Sequence, residues 1–307
     1  MTSEAGAEMQ PALPTRVLVT GAAGALGRHV VSALHRAGVA VSALVLEPQV
    51  PAEWEADRVV VGDGRDVDAV RRALVDVDAV IHLAAIPSPR GGTAEEVFCG
   101  NTGATFTVLE EAAGVGVRWA VIASSHALTG LPFAEQVRTP AYLPVDEAIP
   151  PHIEDPYALS KQVDEETASM MWWRHGLSVC ALRFPFLGGT DDRLPRRAQQ
   201  FATDPAIGAR DLWGYLDYRD AADTCVAAIS LRRPGRHVVT LAAPLTLAPY
   251  PTEQLLDAFY PHVPRTTRLP GRSAPFDLTR ARALLDFSPQ HLWPVEERKL
   301  VITERHS

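Results

Sequence analysis

Between Arg16 and Arg183, short runs rich in Val, Leu and Ile alternate with longer stretches in which apolar residues recur every three or four positions. The runs are RVLVT (16–20), VAVSALV (39–45), RVVVG (58–62), DAVIHLA (78–84), RWAVIAS (118–124) and LSVCALRF (177–184). Runs that are apolar at nearly every position suit strands buried on both faces. The segments between them, Leu26–Ala37, Asp66–Leu74, Ala94–Ala113 and Tyr157–His175, have the spacing of crossover helices. Gly38 and Gly176 follow two of these helices, where a left-handed residue closes the last turn at little cost.

This order predicts an α/β fold, a Rossmann-type doubly wound parallel sheet over residues 15–183. After Arg183 the texture changes to Gly, Pro and isolated aromatics, with one short helical stretch near Arg196–Ala202. Asp220 is placed to cap a helix over DAADTCVAAISL, and HVVTLA (237–242) reads as a further strand, so residues 217–243 return to the core. Residues 184–216 and 244–307 are left to form a small C-terminal substrate lobe, with short helices at Thr252–Phe259 and Thr279–Leu285. The 25 prolines avoid the central strands and gather in loops, as a residue without an amide hydrogen must. They mark 131–156 as a long loop, and loops of that length inside a domain usually carry function.

Composition removes several function classes. The chain has 307 residues and a formal net charge of -8, with no basic helix face, which argues against nucleic acid as a partner. Residues 1–14 lack the cationic and apolar parts of a signal peptide and read as a disordered tail. No stretch reaches the roughly 18 apolar residues of a membrane span. The expectation is therefore a cytoplasmic protein with no membrane partner. Cys99, Cys180 and Cys225 are scattered without metal-ligand spacing, and no metal site is expected.

The first strand runs directly into TGAAGALG, which puts Gly21, Gly24 and Gly27 just before a helix. Glycine is needed where the chain turns tightly, where backbone must approach a pyrophosphate, and where the helix packs on the strand. The free amides at the helix start then attract the diphosphate. The ribose selector belongs at the end of the second strand, where Glu47 is the lone acid and no Lys or Arg occurs between residues 37 and 57. That favours NAD, with NADP as the alternative because Arg28 or Arg36 can approach from the helix. Asp63 ends the third strand, where it can meet the adenine amino group.

DPYALSK places Tyr157 and Lys161 one turn apart on one helix face. An ammonium beside a phenol favours the phenolate, so that Tyr157 can exchange a proton with a carbinol. Ser125, at the carboxyl end of the fifth strand, sits where open α/β sheets gather their reacting groups, and its hydroxyl can donate to a substrate oxygen.

Taken in order, TGxxGxxG, HLAA (82–85), NTGAT (101–105), SSxxxxG and YxxxK resemble the extended short-chain dehydrogenase/reductases, the group that includes NAD-dependent epimerases and dehydratases. YLDYRDAADTCVAAI (215–229) and FDLTRARALLDF (276–287) are similar to its C-terminal signatures. The resemblance implies that Gly21, Gly24 and Gly27 cradle pyrophosphate, that Asp63 faces adenine, and that Ala84 lines the cofactor. Ala25, Leu26, Gly64, Leu83, Ala85 and Phe184 complete the expected cofactor wall with Glu47 and Lys161. Asn101 would organise the catalytic helix, Ser125 polarise the substrate, Tyr157 act as acid and base, and Lys161 hold the nicotinamide ribose. Pro185, His126 and His152 are expected on the substrate side. The family also implies a homodimer built on Ala94–Ala113 and Tyr157–His175, whose outward residues include Phe98, Phe106, Trp172 and Trp173.

Departures from the family pattern narrow the chemistry. His126 and Ala127 stand where sugar-nucleotide dehydratases carry an Asp-Glu pair, so dehydration lacks its acid and base. The segment between Gly188 and Arg219 is short for a nucleotide-sugar lobe, and Gly214, Tyr215 and Leu216 replace an expected diphosphate-binding arginine. The reading is an NAD(P)-dependent oxidoreductase that interconverts an alcohol and a carbonyl on a small polar, sugar-derived molecule. Arg193, Arg196 and Arg197 are candidates to hold a substrate carboxylate. A sugar epimerase is the first alternative and a non-catalytic dinucleotide sensor the second.

Overall fold

The computed structural model describes residues 13–48, 54–136, 138–191 and 193–300. Residues 1–12 of the expected tail, and 301–307, lie outside the described residues. In chain order the Rossmann part comprises β1 (Arg16–Thr20), α1 (Ala25–Arg36), β2 (Ala40–Val45), β3 (Arg58–Val61), α2 (Val67–Ala73), β4 (Ala79–His82), α3 (Ala94–Gly114), β5 (Trp119–Ser125), α4 (Pro156–His175) and β6 (Ser178–Phe184). Seven strands pair in parallel in the order β3, β2, β1, β4, β5, β6 and, last, the later strand Arg236–Thr240. The chain therefore leaves β1 toward one edge through β2 and β3, then returns to its other side at β4. That reversal opens a crevice at the strand ends.

Side-chain alternation explains the double layer. Val17, Val19 and Ile81 face one core with Val30 and Leu34 of α1, whereas Leu18, Val80 and Ile122 face a second core with Val108 and Leu109 of α3. Because successive strand residues point to opposite faces, a sheet covered on both sides must be apolar at every position, as the sequence runs are. Thr93 caps α3 in a reciprocal capping box with Glu96. Asp155 caps α4 through the Ala158 amide, and Gly176 ends it at φ +67°.

Beyond β6 lie β7 (Leu187–Gly188), α5 (Arg193–Thr203), α6 (Ala206–Ala209), β8 (Leu216–Asp217), α7 (Tyr218–Ser230), β9 (Arg236–Thr240), α8 (Thr252–Phe259) and α9 (Thr279–Leu285). β7 and β8 form a small parallel ladder, and β9 completes the main sheet. α5 is longer at both ends than the expected Arg196–Ala202. Asp220 is not the cap of α7. Asp217, in extended backbone at the end of β8, accepts the Arg219 amide and starts the helix three residues earlier. Asp220 instead binds the Gln290 and His291 amides and the His291 ring, which clamps the C-terminal segment.

The segment after β6 is fixed by large aromatic groups. Phe201, Trp213 and Tyr260 are fully buried. Trp213 Nε1 donates to the Pro205 carbonyl at 2.7 Å, and the Tyr260 hydroxyl donates to the Ala209 carbonyl at 2.7 Å. Both polar tips thus hold the ends of α6, while the rings fill the space beneath it. Trp213→Ala is expected to cost about 3–5 kcal/mol. Urea unfolding followed by circular dichroism reads this, and an unchanged midpoint would contradict it.

Candidate active site

A cavity of about 710 Å³ opens at the carboxyl ends of β1, β4, β5 and β6. Its walls bring together Gly21, Gly24, Ala25, Leu26 and Gly27 of the first turn, Leu83 and Ala85 after β4, Ser124 and Ser125 of β5, and Tyr157 and Lys161 of α4. Phe184, Pro185 and His126 also line it, and Arg193, Arg197, Arg210 and Asp211 enter from the C-terminal segment.

The glycine turn is constrained by its own backbone. Gly21 has φ +66°, and a Cβ there would lie 2.7 Å from the Ala84 nitrogen; one on Gly27 would lie 2.2 Å from the Gly21 oxygen. The first lets β1 and the exit of β4 lie side by side, and the second lets α1 start hard against the turn. Gly24 occupies the N-cap of α1 without a side-chain cap, and the first turn of the helix has no acidic residue. The start of α1 thus presents backbone amides to the cavity with no carboxylate competing for them, which fits a diphosphate. The residues present therefore suit a dinucleotide.

Ser125 and Tyr157 both line this cavity. The Ser125 Oγ accepts the Ala127 amide at 3.0 Å, which leaves its hydroxyl hydrogen for a ligand. Tyr157 is nearly buried, with the edge of Phe133 against its ring at 5.7 Å between centroids. Asn101 does not line the cavity. Its Oδ1 accepts the Ile86 amide, and its Nδ2 donates to the Ile86 carbonyl and to Ser160 Oγ, which in turn donates to the Tyr157 carbonyl. It thereby ties the loop after β4 to the turn of α4 that carries the phenol.

A second buried network lies under β5. Ser124 donates to Glu165 at 2.6 Å, and Arg183 grips the same carboxylate through Nε and Nη2 at 2.8 and 2.9 Å. Ser124 is thus committed to structure, and Ser125 is the hydroxyl left facing the cavity. His126 is buried beside it, and burial, helped by Arg183, pushes its pKa down to about 3. The ring is neutral at working pH. Its Nε2 has no partner among the described residues, while the ring meets Phe276 at 4.9 Å.

Other expected residues lie outside the cavity wall. Glu47 is exposed beyond the end of β2. Asp63 is held by Arg65, through the amide and two guanidinium contacts, which keep its carboxyl below the usual range. Gly64 faces Ala104 of α3, and Ala84 backs the glycine turn and donates its amide to Thr20. His152 is the clearest departure. Its carbonyl lies against Gly130, whereas its side chain is 58% exposed beside Glu154 and is not among the residues that line the cavity. Sequence reasoning missed Arg210 and Asp211, because no local periodicity marks a four-residue helix whose position depends on Trp213 and Tyr260.

Among the described residues, no group of three or more His, Cys, Asp or Glu side chains forms a candidate metal site, and no helix is long and apolar enough to cross a membrane. The family model described as the NAD dependent epimerase/dehydratase family matches residues 17–240. A uronate dehydrogenase of Pseudomonas syringae pv. tomato is 31% identical over 168 residues, 55% of this chain and 58% of the relative. An L-arabinose 1-dehydrogenase (NAD(P)(+)) of Haloferax volcanii is 34% identical over 58% of this chain and 69% of its own length. The match thus spans little more than half of the first relative. A UDP-glucose 4-epimerase of Streptomyces lividans is 30% identical over 76% of this chain and 71% of its own. In fold, a short-chain dehydrogenase/reductase superfamily protein of Agrobacterium tumefaciens, solved with bound NAD, superposes with a TM-score of 0.67 at 24% identity over 90% of this chain and 93% of that one. On its sequence over residues 17–240 and on its parallel sheet, the chain belongs to the NAD dependent epimerase/dehydratase family.

Proposed function

We propose that this protein is an NAD-dependent dehydrogenase that interconverts an alcohol and a carbonyl on a small, anionic, sugar-derived substrate. The observation that carries the reading is the meeting of Ser125, Tyr157 and Lys161 with the glycine turn in one cavity. Ser125 donates its free hydroxyl hydrogen to the substrate oxygen, and Tyr157 as phenolate takes the carbinol proton. Lys161 supplies positive charge on the same helix face and would hold the nicotinamide ribose. Bound NAD supplies the acceptor for the hydride that leaves the carbinol carbon as the carbonyl forms. In the reverse direction Tyr157 returns the proton.

The anionic character rests on charge. The chain is net negative, yet Arg90, Arg193, Arg197 and Arg210 line the cavity with Asp211 as the one carboxylate among the described lining residues. Arg197 is paired with Asp211, and Arg210 also donates to the Ala134 carbonyl. Such a surplus favours a carboxylate or phosphate on the substrate. The uronate dehydrogenase relative is consistent with a sugar acid.

The epimerase reading is supported by the longer match to the Streptomyces lividans relative. It requires NAD to stay bound through purification and to undergo no net change. A panel of neutral sugars, uronates and sugar phosphates with NAD or NADP, followed by nicotinamide absorbance, separates the two. Net reduction with an anionic sugar supports the dehydrogenase, and isomerisation without it supports the epimerase.

We also propose a homodimer through α3 and α4, where Phe106, Leu159 and Trp173 are exposed. Sedimentation that finds only a 33.2 kDa species would contradict it. Tyr157→Phe is expected to lower kcat/KM by about 10²–10⁴-fold while NADH fluorescence titration remains near native. Retained turnover would remove the assignment. Arg210→Ala is expected to raise KM for the anionic substrate about tenfold or more and to spare a neutral analogue. Equal effects on both would count against charge recognition.

A further inference from the structure

Lys161 is buried against a carboxylate that the reaction proposed above does not use. Asp164 stands one turn further along α4, its Oδ2 is 3.1 Å from Lys161 Nζ, and the two side chains are 1% and 3% exposed. The same Nζ lies 5.9 Å from the centre of the Tyr157 ring. Burial works against the ammonium, but Asp164, Tyr157 and Glu165 outweigh it and hold its pKa above the ordinary value.

The groups around the pair are fixed from the strands of the sheet and from α3. Glu165, on the same helix, is already engaged by Ser124 and Arg183 of the sheet and approached by Arg236 at 3.5 Å. On the other side, the Thr20 Oγ1 accepts the Leu83 and Ala84 amides, each at 3.2 Å. Amides can only donate, so the Thr20 hydrogen goes to His82 Nδ1 at 2.7 Å. Burial, helped by Lys161, pushes the His82 pKa down to about 3, so the ring is neutral and its one hydrogen sits on Nε2, 3.1 Å from Thr105 Oγ1. The Thr105 hydrogen is thereby left to face Asp164. Burial pushes the Asp164 carboxyl pKa above its ordinary value, against the downward pull of Lys161 and of this hydroxyl, and Asp164 Oδ1 closes no hydrogen bond among the described residues.

We propose that Asp164 is a positioning residue of the reacting site, a counter-ion that holds Lys161 and limits how much of its charge reaches the Tyr157 phenol. The hydrogen-bond chain from the Leu83 and Ala84 amides ends at Thr105, whose hydroxyl faces the carboxyl from α3. The phenol then faces an ion pair rather than a lone cation. This rests on the reading of Tyr157 as the proton acceptor, but its test does not depend on turnover.

The test is the ionisation of Tyr157 in cofactor-free protein, read as the near-ultraviolet absorbance of tyrosinate against pH, with the Tyr157→Phe titration subtracted. Asp164→Asn keeps the shape but removes the negative charge, and should lower the midpoint by about one pH unit. Lys161→Met with Asp164→Leu removes both charges, an exchange that buried ion pairs usually tolerate in folding. Its midpoint should stay within about half a unit of native. If the single variant titrates with the native protein, or the double variant titrates a unit or more higher, Asp164 does not offset the lysine and the proposal fails. NADH fluorescence titration of native protein is the separate control, since a native chain that binds no NADH defeats the dehydrogenase reading and leaves the tyrosine titration to be judged alone.

Discussion

The cavity depends on how closely β1 and the exit of β4 can lie together. Gly21 makes that approach possible, since any side chain at this left-handed position would meet the Ala84 backbone within 3 Å. With β1 and β4 in contact, the chain reversal between them opens a crevice, α1 points its bare amides into it, and β5 delivers Ser125 to its edge. Thr20 and Ala84, the neighbours of this contact, are also the first links of the hydrogen-bond chain that runs through His82 to Thr105 of α3. Turn, sheet order and reacting groups are therefore parts of one arrangement.

Two consecutive buried acids of α4 have different partners. Glu165 is satisfied by a serine and an arginine of the neighbouring strands and fixes the helix to β5 and β6. Asp164 meets Lys161 of the same helix, with Thr105 of α3 beside it. Consecutive acids on one helix thus serve different partners, because adjacent residues lie about a hundred degrees apart around the axis. The arrangement places charge under the site without exposing it to water, where it would be screened.

Much of this was legible in the chain. The six apolar runs of the first part and the strand at 237–242 are the seven strands of the sheet, because burial on both faces writes itself into every position. The glycine turn and the Tyr157 and Lys161 pair were legible for a similar reason, being local in sequence. Asp164 and Glu165 were not: DEET in a helix looks like a solvated face until α3 and the sheet are packed against it. His152 differs in the other direction: its place in the loop between strand and helix suggested a substrate contact, and its side chain is exposed beside Glu154. The start of α7 was misplaced because Asp217 and Asp220 are both suitable caps, and the extended backbone at the end of β8 decides between them.

The central claim is that one dinucleotide spans from the glycine turn to the Tyr157 phenol. A crystal structure of the protein grown with NAD tests it most directly. The account predicts the diphosphate on the amides at the start of α1 and the nicotinamide ring beside Ser125 and Tyr157. A dinucleotide bound elsewhere, or one whose nicotinamide end lies away from both oxygens, would contradict it.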